Sequence, residues 1–407
     1  MKIKKVLYSL IALGAAIAIV LSVAAVKRGK EIRAVYSARQ QEYHSLAQEE
    51  KKWLATTQLS NGALAKRPKT KGKASVVPYF SDFAAQALMD GDEQGEYRQA
   101  VKKYMDWHFS HLNDEKSDIN GLDATIYNYD MDIEDGKVAQ EISTGEYDST
   151  DSYGAVFLSL AYRYGVQYKD KEYLQQHSGE LMRIARMVLS TIDNGLSFAK
   201  PDYKIKYLMD NSEVYAGLRD MALLISLAEL DSVGSDREEF AALKKALEEA
   251  QQGVASGISN MWNDKEGYYH PALGEKGGEA SEFSWDNFYP SATSQVFPVV
   301  FGVASPLEER SKLVYSGLCS NHSWQTMESY HKDKNSFYWS ILAYAAACMG
   351  DEERVNTYLQ EYIKQTKNGH KSPVYNSDSA WMIMTCEYMA KVYSEKPIGI
   401  SDIINGI

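Results

Sequence analysis

Along most of the chain, apolar positions recur at three- and four-residue spacing and seldom alternate, which predicts helices rather than strands. The pattern places helices at about 36–57, 79–90, 95–112, 151–165, 171–191, 212–230, 236–261, 291–303, 307–318, 336–349, 351–366 and 378–393. They come in two alternating kinds. One is charged and amphipathic, as in EYRQAVKKYMDW, EEFAALKKALEEA and EERVNTYLQEYI, and can bury one stripe while the other stays wet. The other is apolar on most faces, as in DSYGAVFLSLAY, SFYWSILAYAAACM and SDSAWMIMTCEYMA, and so must be enclosed by other helices. Outer and inner kinds alternate six times. The economical architecture is a double-layered all-α ring, six inner helices within six outer ones. No Pro/Gly/Ser-rich linker splits 35–407, so that stretch reads as one domain.

The connections are unequal. Those leading into inner helices are long and rich in aromatic and polar residues, such as NGLDATIYNYDMDIEDGKVAQEISTGEYDST, whereas the returns, such as SPLE and MGDEE, are short. All long loops therefore gather at one end of the ring, where a cleft is expected.

Three local features join this alternation: Asn-Gly at loop starts (Asn61-Gly62, Asn120-Gly121, Asn194-Gly195), the stretch DSTDSYGA, and KYLMDNSEVYAGL. Together they resemble the six-hairpin glycosidases. The resemblance covers about 35–407 and implies an (α/α)6 barrel of six helical hairpins with a glycoside hydrolase-like site. No motif of one particular family within that group is present.

Glycoside cleavage uses two carboxyl groups, one protonated as acid and one that activates water or attacks the sugar. Candidates at the long-loop end are Asp82 at the first inner helix, Asp148 and Asp151 at the second, Asp210 and Glu213 at the third, Asp286 before the fourth, Asp333 before the fifth and Asp378 at the sixth. Each also suits a helix cap, with no further role. Glu213 is expected as the acid and Asp151 as the base, because they open neighbouring inner helices and each is followed two residues on by a tyrosine, Tyr215 and Tyr153. Expected sugar-facing aromatics are Tyr79, Tyr127, Tyr153, Tyr215, Trp285, Tyr289, Trp339 and Trp381, with Tyr129, Tyr203 and Tyr207 as further possibilities and core packing as the competing role.

Composition narrows the partners. A net charge of -11 argues against a nucleic-acid binder. One loop, AKRPKTKGK, runs against that charge; its cations (Lys66, Arg67, Lys69, Lys71, Lys73) are either a solvated surface or a contact for an anionic glycan or cell-surface polymer. The three cysteines, Cys319, Cys348 and Cys386, form no disulfide framework, and no metal or cofactor motif is expected; His108 and His111 share a helix face without a third ligand nearby. At the N-terminus, Lys2, Lys4 and Lys5 precede an uncharged run from Val6 to Val26, long enough at about 1.5 Å per residue to cross an apolar layer of about 30 Å. The expectation is a membrane anchor over 1–34 with a transmembrane helix at 6–26, a short cytoplasmic tail and the main domain outside the cytoplasm; cleavage after small residues would make that domain secreted. The function expected is a glycoside hydrolase-like protein acting on an exopolysaccharide or cell-wall glycan. The alternatives are an unsaturated-uronyl hydrolase on the same fold and a non-catalytic glycan-binding or assembly protein.

Overall fold

The computed structural model describes residues 2–232, 234–334, 336–371, 373–399 and 402; the side chains of residues 2–7 and 9–21 lie outside that description. The helices are α1 (Lys2–Ala55), α2 (Pro78–Met89), α3 (Arg98–Ser110), α4 (Asp151–Tyr168), α5 (Lys171–Gln176), α6 (Ser178–Ser190), α7 (Leu208–Leu227), α8 (Arg237–Asn260), α9 (Phe297–Val300), α10 (Glu309–Asn321), α11 (Glu328–Lys332), α12 (Ile341–Cys348), α13 (Glu352–Thr366) and α14 (Asn376–Glu395). The chain divides into two compact units, Met1–Gln48 with Cys386–Ile407, and Glu49–Thr385.

In the first unit, Tyr43 stacks on Tyr393 with ring centres 6.0 Å apart, and His44 and Gln48 bond the Glu387 carboxylate. The expected membrane segment, 6–26, falls mostly on side chains outside the described ones. Among the described residues no helix is long and apolar enough to cross a membrane.

The second unit holds the cleft. Its inner helices pack in chain order, α2 on α4, α4 on α7, α7 on α9 and α9 on α12. Aromatic contacts close the ring: Trp381 of α14 lies 5.4 Å from Tyr344 of α12 and 4.9 Å from Phe83 of α2. The amphipathic partners α3, α6, α8 and α13 pack on α2, α4, α7 and α12. Inner helices are buried on nearly every face, as the pattern requires; α4 buries thirteen of its residues, from Asp151 to Gly165. α4 and α7 approach each other closely. A Cβ at Gly217 would sit 2.5 Å from the Ala155 carbonyl oxygen, so only glycine fits there. This contact sets the starts of α4 and α7 side by side.

Three features depart from the predicted pattern. The helix expected at 171–191 is broken at His177 into α5 and α6, with Asp170 capping α5 through the Tyr173 N–H. The helix expected at 291–303 is reduced to a widened turn at Phe288–Ala292 and the four-residue α9, because Pro290 and Pro298 each lack an N–H and interrupt the ladder. The long loops also carry a three-stranded antiparallel sheet, β1 (Gly72–Val76), β2 (Tyr129–Glu134) and β3 (Lys137–Ser143), in spatial order β1-β2-β3. Its hairpin turns at Asp135-Gly136, both at positive φ, the two-residue turn that Asp-Gly favours. A smaller hairpin, β4 (Ile192–Asp193) and β5 (Leu196–Ser197), turns the same way at Asn194-Gly195.

Candidate active site

The starts of the inner helices surround a cavity of about 530 Å³, within the range of about 300–1,000 Å³ usual for small-molecule sites. Tyr79 and Phe80 of α2, Ser152 of α4, Met209 and Asp210 of α7, Phe297 of α9, Ile341 of α12 and Ser377 and Asp378 of α14 all line it. Inner helices thus aim their N-terminal backbone N–H groups toward one chamber, a setting that favours negative charge.

Three of the expected carboxylates reach the chamber: Asp148, Asp210 and Asp378. Asp210 is half-buried in its wall. Burial, then the charges of Asp151, Glu213 and Asp148, hold its carboxyl well above the usual range. Asp378 opens α14, three positions from α7 around a ring of six, and so faces it from the far wall. It is pushed up to about 7 by burial, against backbone N–H donors from Tyr375, Ser340 and Tyr338. The Tyr375 N–H lies 3.2 Å from its Oδ2.

Asp151 and Glu213 stand one layer back. Asp151 is 0% exposed. Its two oxygens are held, Oδ1 by the Ser152 N–H at 2.8 Å and Oδ2 by the Ser197 hydroxyl at 2.6 Å. The Asn194-Gly195 turn delivers Ser197, and Asn211 of α7 clamps that strand, accepting the Ser197 N–H at 2.7 Å. Asp151, expected as the base, does not itself line the chamber; Ser149 and Ser152 beside it do. Glu213 is 2% exposed and receives the Tyr79 hydroxyl on Oε1 at 2.6 Å. Burial raises its carboxyl to about 8, the Tyr79 bond opposing and the Asp151 charge assisting. Tyr79 itself lines the chamber, so Glu213 touches the site through that hydroxyl.

The other three carboxylates lie elsewhere. Asp82 is enclosed in the core, taking the Tyr104 hydroxyl at 2.7 Å with His108 at 3.6 Å. Asp286 and Asp333 are exposed and outside the chamber lining. All three are expected at the cleft from their place in the chain. Helix phase turns Asp82 inward, and irregular backbone before the fourth and fifth staves leaves Asp286 and Asp333 on the surface.

Of the expected aromatics, Tyr79, Tyr153, Tyr289, Trp339 and Trp381 line the chamber. Tyr79 and Tyr153 stack with centres 5.6 Å apart, and Tyr289, 56% exposed, leans on Trp339 at 5.0 Å. Tyr127, Tyr215 and Trp285 do not line it. Tyr127 stacks on Tyr147, and Trp285 covers Gly317 and meets Phe283 edge-on. Tyr215, two residues beyond Glu213, is carried away from the chamber by the helix turn. Phe288, Phe337 and Asn128 also line the chamber, and the helical pattern does not single them out. Asn128 sits just before β2, and the alternation ATIYNYDMDIEDGKVAQEIS with its Asp-Gly turn is the available signal. Among the described residues no group of three or more His, Cys, Asp or Glu side chains is placed to hold a metal ion.

No family model matches the sequence, and no curated protein does. Solved structures do resemble it. A single-residue variant of a glycosidase aligns with a TM-score of 0.59 at 13% identity over 89% of this chain and 98% of its own. A GH63 mannosylglycerate hydrolase from Thermus thermophilus, solved with glucose, aligns at 0.54 and 11% identity over 84% of this chain and 100% of its own. A rhamnosidase from Klebsiella oxytoca with rhamnose bound aligns at 0.50 and 12% identity over 84% of this chain and 63% of its own. The fold is that of the six-hairpin glycosidases.

Proposed function

We propose that the chain is a glycoside hydrolase that cleaves a polysaccharide, with Asp210 as general acid and Asp378 as general base. The observation that carries this reading is the pair itself: two carboxyl groups on facing staves of one aromatic-walled chamber, one held well above the usual carboxyl range and the other raised to about 7. The protonated Asp210 gives its proton to the glycosidic oxygen as the bond to the anomeric carbon breaks. The ionised Asp378 takes a proton from a water that attacks that carbon from the other side. Asp151 keeps the proton on Asp210 by its charge, with the buried Glu213 packed behind. The exposed faces of Tyr289 and Phe337 suit stacking on sugar rings. An N-terminal membrane segment over 6–26 would hold this chamber at an extracytoplasmic surface, where exopolysaccharide and cell-wall glycans lie.

The test is the full-length chain incubated with neutral, amino-sugar and acidic polysaccharides, with new reducing ends measured. Turnover that survives both Asp210→Asn and Asp378→Asn would overturn the assignment. Glycan binding without product from any polysaccharide would move the reading to a binding protein. Protease protection in spheroplasts reports the side of the membrane.

A further inference from the structure

The basic loop at Ala65–Lys73 resolves into cations with different surroundings. Lys73 is 3.3 Å from Asp132 across β1 and β2, and Lys69 and Lys71 are exposed. Lys66 and Arg67 differ from all three. Both are half-buried, and both rest on the ring of Tyr375, the Lys66 ammonium 5.1 Å and the Arg67 guanidinium 5.7 Å from its centre. Among the described residues neither makes an ion pair. The carboxylate that acts on Lys66 at longer range is Asp130, whose Oδ1 already accepts the Ser75 hydroxyl at 3.0 Å. Burial, then the charge of Arg67, lowers the pKa of Lys66. Two like charges are therefore held together, partly dehydrated and without a counter-ion, an arrangement that an anion would relieve.

Their place in the fold says which anion. The Lys66 carbonyl accepts the N–H of Asn376, the first residue of α14, at 2.9 Å. Tyr375, which carries both cations on its ring, gives its own N–H to Asp378. The same ring packs on Phe80 at 6.3 Å and Phe337 at 5.7 Å, and both of those line the chamber. The cations thus lie just outside the chamber lining on the Asp378 side, with the Tyr375 ring between them and Phe80 and Phe337. The opposite wall carries Asp148 beside Asp210, and the charge of Asp148 would repel an anionic group. An acidic sugar has one favourable orientation here, its charge toward α14.

We infer that Lys66 and Arg67 form an anion subsite just outside the chamber lining, and that the glycan taken by this chain is acidic, bearing a carboxylate or a phosphate next to the bond presented to Asp210 and Asp378. The binding half of this inference stands on the two cations alone; the cleavage half rests on the hydrolase reading above.

The experiment is calorimetric titration and turnover of the full-length chain with three anionic probes: oligogalacturonate, a hyaluronan oligosaccharide and a glycerol-phosphate oligomer. The carboxylate probes are compared with their carboxyl-reduced forms and the phosphate probe with glycerol, which separates the two anion sources. The wild type is expected to bind at least one charged probe at least tenfold tighter than its uncharged counterpart, the difference shrinking with added salt. Lys66→Gln with Arg67→Gln should remove at least tenfold of that affinity. Lys69→Gln with Lys71→Gln, the same loss of charge on exposed residues, should remove less than threefold. Equal binding of charged and uncharged probes by the wild type overturns the inference without recourse to any variant, and so do equal losses in the two double variants. Acidic probes bound through Lys66 and Arg67 but never cleaved uphold the subsite and sink the hydrolase reading. Neutral glycans cleaved with no preference for charge do the reverse.

Discussion

Asp82 and Asp210 are the same residue in the same kind of place. Each lies in the first turns of an inner helix, each is at least half-buried, and in each burial pushes the carboxyl above its usual range. Yet Asp82 is shut into the core against Tyr104 and His108, with its Oδ2 unpartnered, while Asp210 faces a chamber of about 530 Å³. The neighbours differ in sign as well. His108 draws the Asp82 carboxyl back down, whereas three carboxylates push Asp210 further up. A raised carboxyl is thus common to a packed core and to the wall of an open chamber, and access to solvent-sized space separates the two.

The sharpest way to break this comparison is to remove both carboxyls. Asp210→Asn should lower turnover by about a thousandfold or more, as loss of a general acid does. Asp82→Ala should leave turnover per folded molecule within about threefold. It should cost about 2 kcal/mol in unfolding free energy, because the Tyr104 hydroxyl and His108 lose a buried partner. Urea denaturation alongside reducing-end assays reads both quantities. Comparable losses of turnover in the two variants would show that access is not what distinguishes them.

Asp378→Asn comes next, with an expected loss of about a hundred- to a thousandfold. The pH profile should show it as well. In the wild type, kcat/KM should rise as Asp378 ionises near 7 and fall at higher pH as Asp210 loses its proton. The rising limb should vanish in Asp378→Asn. A smaller change is expected from Asp148→Asn. Its charge is one of those raising Asp210, so its removal lowers the Asp210 carboxyl and draws the falling limb to lower pH. A limb that stays in place would uncouple the two residues.

The fold is largely legible in the sequence because it depends on periodicity. Stretches buried all round, such as α4 and α12, admit only an inner position, and their alternation with EERVNTYLQEYI-type stretches orders the ring. The fourth stave departs from its predicted helix because an apolar run says nothing of where Pro290 and Pro298 interrupt it. The sheet escapes the helical pattern although Asp135-Gly136 signals its turn, since helical period dominates its surroundings. The end of the barrel that holds the cavity is legible from loop length. The split between chamber-facing Asp210 and Glu213 one layer behind it is not. One turn of helix separates them, and the Tyr79 hydroxyl that covers Glu213 comes from a residue 134 positions away in the chain.

Glu213 supplies the smallest and most specific test, one of stability rather than turnover. Its carboxyl is raised from 4.5 to about 8 in the folded chain, chiefly by burial. Between those two values the folded state binds a proton that the unfolded state has released, so stability falls as pH rises. The contribution of the protonated group is full below about pH 4.5 and lost by about pH 8. Glu213→Gln keeps an acceptor for the Tyr79 hydroxyl but has no proton to lose. At pH 8 it should therefore be more stable than the wild type by about 1 kcal/mol or more, or about 2–4 °C in Tm, while at about pH 4.5 the two should melt together. Thermal melts across that range decide it. A Tm difference independent of pH would mean that Glu213 is not held protonated behind the wall, and its charge would then add to those of Asp151 and Asp148 in raising the Asp210 carboxyl.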